Sequence, residues 1–137
     1  MKLEINKIYK MDSKLRKLEE EIIVKQKMVC NRYGTAYLAS PLGKLIGVAI
    51  ETFKGGNSMP VNGLRHPVES GRSANWYIGA GVNYSEANDF FKPMHISHLV
   101  ELCPQALHYL GLPPGWRFLF DDKQYEDVWY DKQLLNI

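Results

Sequence analysis

The strongest constraint on this chain is a change of hydrophobic period at Gly34. Before it, Leu15, Leu18, Ile22, Val29 and Tyr33 recur at three-, four- and seven-residue spacings, which draws one apolar stripe along a helix over 13–33. Ser13 reads as its N-cap, although Arg16 stands where a full capping box holds Glu or Gln. Glu21 and Lys25 add a favourable i,i+4 pair, and Gly34 suits the position just past a helix end. Residues 1–12 read as a frayed leader or a short extra turn. No stripe of that length recurs after Gly34, so the rest must fold from short pieces.

Those pieces have a consistent order. Thr35–Ala39 and Gly47–Phe53 read as strands around a Pro41–Gly43 turn, with a flexible loop at 55–58. Pro60–Leu64 and Asn75–Ile78 read as further strands, followed by a polar loop over 84–89. Ile96–Leu102 and Gln105–Leu110 read as short helices, the second begun by Pro104 and stopped by Gly111. After the rigid turn Leu112–Gly115, Arg117–Phe120 and Glu126–Tyr130 form a hairpin looped by Asp121–Gln124. The expected fold is α+β: an N-terminal long helix packed on an antiparallel sheet of about five strands, with short helices at 96–110.

With 137 residues the chain has the length of one domain, read as 1–137 with the helix over 13–34 and a sheet-containing body over 35–137. Hydrophobic residues make up 45% and charged residues 23%, a globular composition. Charge is unevenly placed. Residues 1–32 carry nine Lys or Arg against five acids, whereas 121–131 holds five acids against Lys123 alone. Glu19–Glu21 interrupt the basic run and no series of aromatics interleaves with it, Tyr9 standing alone, which argues against nucleic acid as a partner. Cys30 and Cys103 lack CxxC spacing, and the opening residues contain no apolar run of signal-peptide length. No apolar stretch is long enough to span a membrane, and a cytoplasmic location is expected.

Candidate chemistry is sparse. His95 and His98, with His66 and Asp89 as further ligands, are the only metal-like grouping, and they define one alternative, a small metal-dependent hydrolase. Two imidazoles alone fall short of a zinc site, and histidines at helix starts commonly bond backbone groups. Cys103 beside His98 or His108 would need an activated thiol, yet it sits in an apolar stretch. Gly79 and Gly81 lack the third glycine of a dinucleotide fingerprint. Glu126 and Asp127 are adjacent on a strand, so they face opposite sides and cannot converge. A metabolite-binding module, with its cleft between helices and sheet, is the other alternative. No catalytic residue, metal or cofactor is expected.

What remains is a co-location of aromatic and acidic residues, the pattern protein interfaces use for anchoring and steering. The expected contact set is Trp116, Asp121, Asp122, Tyr125, Glu126, Asp127, Trp129 and Asp131, with Arg65, His66 and Trp76 secondary.

The segments VNGLRHP (61–67), WYIG (76–79), DFFKPMHISHL (89–99), CPQALHYLGLPPGWRFLFDD (103–122) and YEDVWYDKQLL (125–135) resemble the bacterial immunity protein 33 domain family. The resemblance covers roughly residues 45–137. It implies a small α+β protein, encoded beside a polymorphic toxin, that protects its producer by binding the cognate toxin domain. It supplies no catalytic residues and does not identify the toxin.

Overall fold

The computed structural model describes the backbone of residues 2–54, 59–68, 71–81, 87 and 89–136, and side chains from residue 13 onward. The expected loop at 55–58 and most of that at 84–89 lie outside the described residues.

Helix α1 spans Lys2–Arg32, 31 residues, or roughly 46 Å at 1.5 Å per residue. It therefore begins at Lys2 rather than Ser13, which lies inside it as an exposed residue. Its end is as expected. Gly34 adopts φ +67°, its amide donates to the carbonyl of Asn31, and the Thr35 amide donates to that of Cys30. This double bond is the Schellman cap, and the left-handed residue at its centre is why glycine stands there. The stripe is real but only partly covered: Ile22 and Val29 are buried, Leu18 and Tyr33 are half-buried, and Leu15 is 50% exposed.

Six strands follow: β1 Leu45–Val48, β2 Val61–Arg65, β3 Ser73–Ala80, β4 Lys92–His95, β5 Trp116–Phe120 and β6 Glu126–Tyr130. They form one sheet in the order β4-β1-β3-β2-β5-β6. The α+β class holds, but the sheet has one strand more than expected and is mixed, because β1 runs parallel to β3. The unexpected strand is β4, where Pro93 hides the signal. Proline cannot donate to a ladder and is tolerated on an edge strand, which β4 is.

Two expected strands differ for identifiable reasons. Thr35–Ala39 joins no ladder, since the Leu38 amide goes to Gly111 and the carbonyls of Leu38 and Ala39 go to a buried arginine. The run 47–53 stops being extended after Val48 and becomes a 3-10 turn at Ile50–Phe53. Thr52 closes that turn, its hydroxyl donating to Ala49 and accepting from the amide of Ala80.

The helix reaches the sheet through an intermediate layer. It packs chiefly on the 3-10 segment Pro104–Tyr109, where Gln26 donates to Leu107 (2.9 Å), and the Cys30 thiol donates nearby to Gly111 (3.3 Å). Tyr109 in turn stacks on Phe118 and Phe120 of β5, at 4.7 and 5.4 Å between centroids. The expected helix at 96–102 is a 3-10 turn at Ile96–His98 running into the one-turn helix α2, Leu99–Leu102. Together these elements cover one face of the sheet over a core built around Ile46, Trp76, Ile78, Leu99, Leu107, Leu110 and Phe118.

Candidate functional site

Strand alternation divides the expected contact set between the two faces of the sheet. The register pairs Trp116 with Tyr130, Phe118 with Val128 and Phe120 with Glu126, so Trp116, Glu126 and Tyr130 share the covered side. Arg117, Asp127 and Trp129 stand on the other side, where Arg117 lies opposite Trp129 with its guanidinium 5.4 Å from the ring.

Two secondary candidates are not at the surface at all. Trp76 and Arg65 are fully buried, so neither touches a partner directly, and both are corrected to core residues. The Arg65 guanidinium donates to the carbonyls of Ala74, Leu38 and Leu112 at 3.0, 3.0 and 2.8 Å, and to Ala39 and Leu110 at 3.3 and 3.5 Å. It also lies 5.6 Å from the Trp76 ring. Burial lowers its pKa to about 10, so it still carries its charge at neutral pH. The expectation misread it because a lone Arg in a strand normally points to water, whereas this one replaces water with carbonyl oxygens.

The acidic cluster is also less free than its composition suggests. Glu126 is a hub: both of its oxygens accept from Arg32 (2.8 and 2.9 Å), with Tyr33 donating at 2.6 Å and Tyr109 at 2.7 Å. Burial works against its charge, but the bonds from Tyr33, Tyr109 and Arg32 outweigh that and hold the carboxyl below its ordinary range. Asp121 accepts from the amides of Lys123 and Tyr125 and shapes the hairpin loop. Asp131 accepts from the amide of Gln133 and pairs with Arg117 at 3.2 Å. Only Asp122 and Asp127 of the five acids remain exposed without a bonded partner among the described residues. Tyr125, 54% exposed, closes the loop, its carbonyl accepting from the Asp121 amide at 3.1 Å.

The metal grouping does not assemble. His95 ends β4 and His98 lies in the following 3-10 turn, with ring centroids 6.0 Å apart. His66 follows β2, three strand spacings from β4, or roughly 14 Å. It donates to or accepts from no other candidate ligand: its Nδ1 meets the Leu134 carbonyl at 3.0 Å and its ring meets Tyr77 edge-on. Among the described residues no three of His, Cys, Asp and Glu gather as a metal would require. Cys103 and Cys30 are buried, and burial raises both thiols.

Local patterning conceals the outward face of the sheet, bare among the described residues apart from Phe91 against Tyr77 and Gly47. On it one cross-strand row touches all six strands: Pro93, Gly47, Tyr77, Leu64, Arg117 and Trp129. Pro93 is exposed and the other five are half-buried. The Tyr77 ring is held between neighbours. It packs on Phe91, and a Cβ at position 47 would lie 2.8 Å from it, so Gly47 is what lets it lie flat. The second row carries Asn62, Leu119 and Asp127. The available signal was the period-two run Asn62, Leu64, His66, but polarity alone reads it backwards, with Leu64 inside and Arg65 outside.

A family model, that of the Imm33-like domain, matches residues 25–131. No curated protein and no solved structure matches the chain.

Proposed function

The chain belongs to the Imm33-like domain family, and from that premise we propose that it is an immunity protein that binds a cognate bacterial toxin domain and neutralises it by protein–protein inhibition. It carries out no reaction of its own and needs no cofactor. On this reading it acts in the cytoplasm of the producing cell. No helix among the described residues is long and apolar enough to cross a membrane.

The observation that carries this reading is the outward side of the β5–β6 hairpin. There Trp129 lies over Arg117, and Asp127 stands beside them without a bonded partner among the described residues. Trp and Arg are the residue types that anchor interfaces, and a free carboxylate at their rim favours approach by a cationic group. Trp129, Asp127, Asp122 and Tyr125 are the direct contacts. Trp116, Glu126, Asp121, Asp131 and His66 hold the hairpin and its neighbours in shape.

The test is co-expression with the toxin domain encoded by the adjacent reading frame, followed by titration calorimetry on the purified pair. A stoichiometric complex and restored growth are expected, with the double variant Trp129→Ala, Asp127→Ala binding at least tenfold more weakly while its far-ultraviolet spectrum is unchanged. A toxin domain that neither binds nor loses its toxicity in the presence of this chain would sink the reading.

A further inference from the structure

The hairpin is one end of a longer feature. Across the bare face, Tyr77, Leu64, Arg117 and Trp129 are consecutive neighbours on β3, β2, β5 and β6, continued by Gly47 and Pro93 to the far edge. Five strand spacings make this line roughly 24 Å long. The two central strands contribute no charge to the line: Tyr77 comes from β3 and Leu64 from β2, with Asn62 of β2 in the next row. The single charge in the line, Arg117, is already bonded to Asp131. Its Nε is buried and has no hydrogen-bond partner among the described residues. Among the described residues, the uncompensated charge beside the line is Asp127, at the β6 end.

We infer that this bare sheet face, centred on Tyr77, Leu64 and Arg117 and ending at Trp129, is where the cognate toxin domain docks. The inference rests on the immunity reading above and specifies its surface. The partner's matching surface is apolar at its centre, where it covers Leu64, Leu119 and the Tyr77 ring. At one margin it presents a lysine or arginine to Asp127. Charge decides between occupants. A second copy of this chain would offer, from the same line, only Arg117, which Asp131 already neutralises. A foreign cation answers Asp127, and a copy of this face does not. The line is also the right scale for the middle of a stable interface, which buries about 800 Å² per partner over roughly 20–30 residues. The second row, His66 and the hairpin tip supply the surroundings.

Two measurements on the full chain and the purified toxin domain test this. In calorimetry, Leu64→Lys should weaken binding at least a hundredfold and Asp127→Lys at least tenfold. Tyr130→Ser, on the covered side, should change affinity less than threefold. Hydroxyl-radical labelling of the unaltered pair removes dependence on how the variants fold. Tyr77 and Trp129 should be protected by the toxin domain, and Tyr130 should not. A wild-type chain that forms no complex overturns the immunity reading itself. A complex that forms but protects Tyr125 and Tyr130, leaving Tyr77 and Trp129 reactive, overturns the docking face alone. Protection of Tyr77 that rises with the concentration of this chain by itself would assign the face to a second copy and equally overturn it.

Discussion

Arg65 on β2 and Arg117 on β5 stand on neighbouring strands one residue out of step, and so on opposite faces of the same sheet. Arg65 has five carbonyl partners, an indole beside it and no contact with water. Arg117 has one carboxylate, one indole and an Nε with no partner among the described residues. The same guanidinium is saturated on one side and incompletely satisfied on the other. One face saturates its guanidinium, and the other leaves a donor of Arg117 shut in without an acceptor among the described residues. The covered face is therefore expected to carry more of the stability of this chain than the outward one.

The sharpest way to break that comparison is Arg65→Ala. It strands several buried carbonyls and opens a cavity beside Trp76, and a loss of about 3–5 kcal/mol is expected in urea denaturation. A loss below about 1 kcal/mol would show that the covered face does not depend on this charge. A smaller effect is expected at Glu126, which ties β6 to the helix and to Tyr109. Glu126→Gln should cost about 1–2 kcal/mol at neutral pH, since each surviving bond loses its charge assistance. The sign with pH follows from the lowered folded pKa. The carboxylate stabilises the fold above its unfolded value, near 4.5, and that contribution disappears as pH falls through the folded value below it. The difference between Glu126→Gln and the unaltered chain should therefore shrink below about pH 4.5, as thermal melts at pH 7 and pH 3.5 would read. A difference that widened on acidification would contradict the assignment. The least effect on stability is expected from Leu119→Ser on the bare face, about 0.5–1 kcal/mol by the same denaturation. A cost near that of Arg65→Ala would erase the distinction between the faces.

Local periodicity made parts of this molecule legible in the sequence. The stripe Leu18, Ile22, Val29, Tyr33 and the stop at Gly34 depend only on neighbours within one helix, and they are where the spacing placed them. The hairpin Trp116–Phe120 and Glu126–Tyr130 was equally readable from its turn residues. What stayed hidden depends on distant partners. Lys92–His95 is a strand only because β1 lends it a ladder, and Pro93 masks it locally. Thr35–Ala39 has strand composition, yet Arg65 and Gly111 claim its backbone groups. At the candidate site, composition singles out Trp129 and Asp127. Leu64 is passed over because hydropathy assigns leucine inward and arginine outward, and β2 inverts that rule. The inversion is visible only once five carbonyls are seen to converge on Arg65.

That convergence bears on how the folded chain opens. The carbonyls bound by Arg65 come from three stretches far apart in sequence, at 38–39, 74 and 110–112. Releasing any one of them by itself leaves an ion less solvated inside an apolar enclosure, so partial opening there gains little entropy for a steep electrostatic penalty. Amide protons of Leu38, Arg65 and Leu112 should consequently exchange with solvent at one shared rate, set by cooperative unfolding of the whole body and not by fluctuations of separate loops.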